Sequence, residues 1–268
     1  MTAREPQVEA AAAGSTHDSR EALARLVVDA RARRAWLDAL PHDVQPANAE
    51  DAYAVQHDTL RAMRDSIGGW KVGAKTPTGG PIQGSPLPAA CVHRSGADLP
   101  RSSFNQAGLE LEVAFALGRR FEPAGGPYTD EQVLDAIESM QATIEIVTSR
   151  FNAWPDVDKL WQLADLQNHG ALIVGEAVPY DGAFAFLAPA ASFTIDGAPL
   201  FEGAPANPAG DPRRLLGWLV NHGVSRGLTF EPGTVLTCGS YTGMAFPEKR
   251  GVVRGAIDGL PPVQFTLS

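Results

Sequence analysis

Glu110 and Glu112 stand two residues apart in the run Gly108–Leu117, where Leu109, Leu111, Val113, Phe115 and Leu117 fill the alternate positions. Strict alternation is the pattern of a β-strand, so the two glutamates share the face opposite the apolar residues. Two residues along a strand is roughly 6.5–7 Å between Cα atoms, near enough for both carboxylates to meet one cation or one buried reacting group. The other reading of the same run is an antiparallel strand whose second face meets water. A third carboxylate, Glu145, is set between Ile144 and Ile146 in the stretch 142–150. Burying it there is costly unless it meets a cation or is protonated, and the alternative is an edge strand facing solvent. Three acidic side chains from two strands have a common explanation in a hard, oxygen-ligand metal such as Mg²⁺. Lys71 and Lys75, in the short strand 70–75, are the basic groups of their region, and His169 stands where the apolar run 170–175 begins. A lone histidine at such a place is more often structural than catalytic. The run 233–239 ends in Gly239 and Ser240, a turn whose backbone N–H groups could hold a carboxylate, although a plain tight turn reads the same way.

The elements that must carry these residues follow in chain order. Residues 19–40 repeat apolar positions at helical spacing, with Ser19 as N-cap and Pro41 as stop, and Asn48 caps a second helix through Arg64. Residues 76–87 read as a loop rich in Gly and Pro. Thr129-Asp-Glu-Gln132 is a capping box opening a helix expected to carry Val133, Leu134, Ile137 and Met140, after which the Glu145 strand begins. Asp156 is expected to cap a short helix, Asp196-Gly197 to turn a hairpin, and Asp211-Pro212 to open a helix ended by Gly223. Two strands joined at Asp258-Gly259 close the chain. The predicted fold class is α+β, with residues 1–18 a disordered leader, 19–66 a helical N-terminal region and 67–268 a β-rich catalytic domain. No alternating βαβ series or phosphate-loop glycine pattern is present, which argues against a nucleotide-binding fold.

Composition bounds the partners. The 268 residues are 44% hydrophobic and 20% charged, ordinary for a globular chain with a full core. A net charge of −9 leaves no electrostatic footprint for nucleic acid or an anionic membrane, and no apolar run approaches the ~20 residues of a membrane span. Two cysteines, Cys91 and Cys238, are too few for a disulfide scaffold or a cysteine metal cluster. A small-molecule ligand and a cytoplasmic location are expected.

The order Gly69-Trp-Lys-Val-Gly73, Leu109-Glu-Leu-Glu112, Ile144-Glu-Ile-Val-Thr-Ser-Arg150 and Gly233-Thr-Val-Leu-Thr-Cys-Gly-Ser240 resembles the 2-keto-4-pentenoate hydratase / 4-oxalocrotonate decarboxylase group of the fumarylacetoacetate hydrolase superfamily. The resemblance runs from about residue 21 to the C-terminus. It implies a rolled, mixed β-sheet body of the fumarylacetoacetate hydrolase C-terminal type with a small helical N-terminal part, and a homo-oligomer that could join a complex with a pathway enzyme. It also implies Mg²⁺ or Mn²⁺ as cofactor, held by Glu110, Glu112 and Glu145, with Lys71 as the catalytic residue. Lys71, His169, Gly239 and Ser240 would contact a small 2-oxo acid, chelated to the metal through its carboxylate and keto oxygens. The implied reaction is hydration of a 2-hydroxypenta-2,4-dienoate in aromatic-compound catabolism; the alternatives are 2-oxo acid decarboxylation, acylpyruvate hydrolysis with His93 or His169 as base, or a non-catalytic binding homologue. The chain departs from the family pattern at four places: the loop 76–84 has no aspartate beside proline, Asp165-Leu166 replaces an Asp-Asn pair, Thr148 replaces an aspartate, and Cys238 replaces a Ser or Thr.

Overall fold

The structure, a computed structural model, describes residues 8–268, with side chains from His17 onward. The chain forms two compact units, one of residues up to Asp65 together with Ser149–Asn168, the other of Ser66–Thr148 and His169–Ser268. The segment 149–168 therefore belongs with the helices, although its sequence stands in the middle of the β-rich region.

The helical unit holds α1 (Val8–Arg33), α2 (Ala49–Met63) and α4 (Lys159–Ala164). The expected leader of residues 1–18 lies partly outside the described residues, and from Val8 the chain is helical. Ser19 falls inside α1 rather than capping it. The helix also stops well before Pro41: Arg34 is left-handed at φ 53°, and the Ala35 N–H closes on the Ala30 carbonyl at 2.9 Å. For α2 the expected cap holds, with Asn48 accepting from the Asp51 N–H. The cap of α4 is Asp158, not Asp156, accepting from Leu160 N–H at 2.7 Å. In this unit Gln56 Nε2 donates to the Leu163 carbonyl and the buried pair Arg150–Asp165 closes at 2.6 Å.

The other unit carries two sheets of mixed direction and two helices, α3 (Asp130–Leu134) and α5 (Leu216–Val224). Its strands are β1 (Ile67–Ala74), β2 (Ile82–Pro88), β3 (Val92–Arg94), β4 (Asp98–Leu99), β5 (Gly108–Leu117), β6 (Ile137–Val147) and β7 (His169–Val174). There follow β8 (Val178–Pro179), β9 (Ala191–Ile195), β10 (Ala198–Pro199), β11 (Val235–Ser240), β12 (Gly251–Ile257) and β13 (Val263–Leu267). The larger sheet runs β2-β1-β11-β5-β6-β7-β3 with β8 beside β6, and the smaller runs β10-β9-β12-β13-β4. The fold is α+β.

Leu109, Leu111, Val113, Phe115 and Leu117 share one buried core with Phe193, Val253 and Phe265 of the smaller sheet, each such side chain contributing about 1.5–3 kcal/mol by leaving water. The approach is close enough that a Cβ on Gly255 would lie 2.4 Å from Leu111 Cδ1. The apolar face of β5 is thereby committed, and its glutamates must point the other way.

Two further expectations change in this unit. The capping box at Thr129 and Gln132 is present, but its helix ends at Leu134, and Ile137 and Met140 are strand residues. Their apolar spacing fits a helix locally, whereas antiparallel pairing with β5 runs from Gly108↔Val147 to Leu117↔Ile137, a long ladder with one register shift between Ala116 and Leu117. Part of the loop 76–87 is the strand β2. Pro86 and Pro88 hide it in the sequence, and they are tolerated because β2 is an edge of the sheet.

Candidate metal centre

Register brings the acidic residues together. In the β5–β6 ladder Glu110 is opposite Glu145 and Glu112 is opposite Thr143. On the other side of β5, a register shift in β11 between Thr237 and Ser240 sets Ser240 opposite Glu112. β1 runs parallel to β11 with Lys71 level with Thr237. Alternation then points Lys71, Thr237, Glu110, Glu112, Thr143 and Glu145 to one side of the larger sheet.

One carboxylate oxygen from each of Glu110, Glu112 and Glu145 lies within 4.8 Å of the others. Glu112 and Glu145 are buried. Lys71 Nζ donates to Glu145 Oε1 at 2.6 Å, and His169 Nδ1 meets the same oxygen at 2.8 Å. Glu112 Oε2 accepts from Thr237 Oγ1 and, at 3.0 Å, from the Gly239 N–H.

Burial, with Glu112 and Glu145 beside it, pushes Glu110 up to about 8. Burial and Glu145 push Glu112 up to about 7, against the hydrogen bond from Thr237 and the charge of Lys71. Glu145 is the exception: burial works to raise it, but Lys71 and His169 together hold it below its ordinary value. Lys71 is raised. Desolvation acts to lower it, yet Glu145 and Glu110 outweigh that effect and the ammonium is stabilised.

The donor set fits a hard divalent cation. Glu145 Oε2 is buried with no hydrogen-bond partner, a position that costs free energy unless a cation faces it. The residues that could hold such an ion are Glu110, Glu112 and Glu145, all oxygen donors as Mg²⁺ and Mn²⁺ prefer.

The donors expected to touch substrate are engaged otherwise. The Gly239 N–H goes to Glu112, and Ser240 Oγ donates to the Gly243 carbonyl at 2.8 Å while accepting from Thr242 N–H. His169 is fully buried against Glu145. His93 lies on β3, separated from β6 by β7, and burial lowers its pKa. Cys238 is buried, and desolvation with Glu112 nearby pushes its thiol well up, which disfavours the thiolate. Thr148 Oγ1 accepts from Gln106 N–H at 3.3 Å. Sequence reasoning missed Thr143 and Thr237. For Thr143 a signal existed, since it precedes Glu145 by two and shares its face; for Thr237 the strand partner had to be known.

Residues 78–268 match the fumarylacetoacetate (FAA) hydrolase C-terminal family, and the chain belongs to it. Over 226 residues it is 26% identical to 2-keto-4-pentenoate hydratase of Burkholderia vietnamiensis (strain G4 / LMG 22486), covering 81% of this chain and 85% of the relative. Over 203 residues it is 29% identical to 2-hydroxyhexa-2,4-dienoate hydratase of Comamonas testosteroni, covering 71% and 75%. The fold is shared with 4-oxalocrotonate decarboxylase from Pseudomonas putida G7, solved with magnesium and adipate, at a TM-score of 0.81 and 18% identity, covering 94% of this chain and 98% of that one. Among the described residues no helix is long and apolar enough to cross a membrane.

Proposed function

We propose that this protein is a divalent-metal-dependent hydro-lyase that adds water to small 2-hydroxydienoic acids of the 2-hydroxypenta-2,4-dienoate (2-keto-4-pentenoate) type, in aromatic-compound catabolism. The observation that carries this reading is the convergence of Glu110, Glu112 and Glu145 within 4.8 Å of one another, with Lys71 Nζ 2.6 Å from Glu145. The names of the two hydratase relatives support it.

Bound by the three glutamates, Mg²⁺ or Mn²⁺ would supply positive charge for the carboxylate and 2-oxygen of such an acid, where negative charge grows as a proton moves along the diene. Lys71 holds a proton at Nζ, because its carboxylate neighbours keep its pKa above the ordinary lysine value. The retained positive charge suits it to anchor the substrate carboxylate, and proton transfer to a substrate carbon would follow once a bound cation takes up the charge of Glu145 and Glu110. Glu145 Oε1 fixes where Nζ sits, and His169 fixes Glu145. The loop 76–84 brings no aspartate, so this part of the chain reaches the carboxylates through Lys71.

The test is turnover of 2-hydroxypenta-2,4-dienoate by protein stripped with EDTA and then given Mg²⁺, with products separated. A 4-hydroxy-2-oxo acid formed only in the presence of metal is the expected result. Carbon dioxide from a 2-oxo diacid would move the chain to decarboxylation, and two acids from an acylpyruvate would move it to hydrolysis. No turnover of any of these substrates by metal-loaded protein would overturn the enzyme reading.

A further inference from the structure

The two buried glutamates of the site, Glu112 and Glu145, are each held through one oxygen. Glu112 Oε2 receives both Thr237 Oγ1 and the Gly239 N–H, and Glu145 Oε1 receives both Lys71 Nζ and His169 Nδ1. Glu145 Oε2 is buried with no hydrogen-bond partner. Behind Thr237 stands a second hydroxyl, Thr143 Oγ1, at 2.8 Å, and both threonines are fully buried. A hydroxyl carries one proton, and with Glu112 ionised the proton of Thr237 is committed to the carboxylate. Thr143 must then be the donor at the Thr143–Thr237 contact. The result is a chain of fixed direction, from Thr143 to Thr237 to Glu112 Oε2, that ties down one oxygen of a residue standing directly across the ladder from Thr143.

We infer that Thr237, oriented by Thr143, is a positioning residue that presents Glu112 to the cation through Oε1 alone, as His169 and Lys71 present Glu145 through Oε2, and that this one-oxygen arrangement favours Mg²⁺ or Mn²⁺ over Ca²⁺. The inference rests on the metal-site reading above. Its physical ground is coordination demand: Mg²⁺ takes single oxygens in a near-ideal octahedron, whereas Ca²⁺ takes more ligands and commonly both oxygens of a carboxylate. A Glu112 free to rotate would offer both oxygens, and the larger ion gains more from that freedom. Groups that orient metal ligands typically account for 10–100-fold in metal affinity.

Calorimetry on the full chain with MgCl₂ and CaCl₂ tests this in the parent, Thr237→Val and Thr237→Ser. The parent is expected to bind Mg²⁺ more tightly than Ca²⁺. Thr237→Val should weaken Mg²⁺ about 10–100-fold and Ca²⁺ much less, so that the preference shrinks by about tenfold or more, while Thr237→Ser, which keeps the hydroxyl, retains it. General damage to the fold would weaken both ions alike and would not be rescued by serine. If Thr237→Val does not fold, Thr143→Val cuts the chain one link earlier and is read by the same ratio. A parent without preference for Mg²⁺, or a valine variant with an unchanged ratio, overturns the inference and leaves the metal site standing. A parent that binds neither ion overturns the metal reading and this inference together.

Discussion

Glu110 and Glu145 stand directly opposite each other in the β5–β6 ladder, one cross-strand pair of like charge facing Glu112 and Lys71. Like charges so placed oppose folding, and burial adds to the cost. The raised pKa values of Glu110 and Glu112, about 8 and about 7, express that cost. A carboxyl whose folded pKa is raised adds stability while protonated, below its unfolded value, and that contribution is lost as pH rises through the folded value. Metal-free protein should therefore lose stability on the order of a few kcal/mol between about pH 5 and 8 and melt at progressively lower temperature. The rise in Tm caused by Mg²⁺ should grow over the same window, since ligation needs both carboxylates ionised. Thermal melts in EDTA and in Mg²⁺ across this range check it, and Glu110→Gln should flatten the metal-free slope.

Lys71 is the cation that Glu145 has without a metal. Lys71→Met leaves a buried carboxylate with only His169 beside it, a loss on the order of 3–5 kcal/mol in metal-free protein. Because a divalent ion can take over the compensation while His169 still holds Glu145 by Oε1, Mg²⁺ should restore more stability to this variant than to the parent. Turnover should still fall about 100-fold or more, since the proton-carrying group is gone. Calorimetry and product formation on one preparation separate the two effects.

Glu145→Gln should lose Mg²⁺ binding measurable by calorimetry and take from Lys71 the carboxylate it donates to at 2.6 Å. Its expected stability loss is again on the order of 3–5 kcal/mol, with no recovery on adding metal. Thermal melts with and without Mg²⁺ distinguish this variant from Lys71→Met by that recovery.

Gly170 sets how closely β7 approaches β6. A Cβ there would lie 2.6 Å from the Ile146 carbonyl oxygen, so Gly170→Ala must part the strands next to Glu145 and His169. The expected cost is about 1–3 kcal/mol in chemical denaturation, together with weaker Mg²⁺ binding because His169 no longer reaches Glu145.

Thr129→Ala removes the capping box of α3 and should cost about 1 kcal/mol in the same measurement, with turnover and Mg²⁺ affinity unchanged.

The glutamate pair was legible because alternation is a local signal: Leu109 and Leu111 announce the buried face and so the opposite one. Glu145 was legible by its apolar neighbours. The Asn48 cap and the Asp196-Gly197 turn, with φ 47° and 80°, were local in the same sense. What was not legible depends on pairing. Ile137 and Met140 follow a helical spacing, and only the partner strand β5 makes them strand residues. The edge position that lets Pro86 sit in β2, and the register that sets Thr143 across from Glu112, are properties of the assembled sheet. Ser19 shows the reverse error: a good capping residue inside a helix whose start lies farther back.

Glu110, Glu112 and Glu145 are expected to hold the divalent cation together. Anomalous diffraction from crystals soaked in MnCl₂ tests it most directly. The predicted result is one strong peak between the three carboxylates, with Glu145 contributing Oε2 while Oε1 stays on Lys71 and His169. A peak elsewhere, or none between these residues at saturating Mn²⁺, would contradict the account.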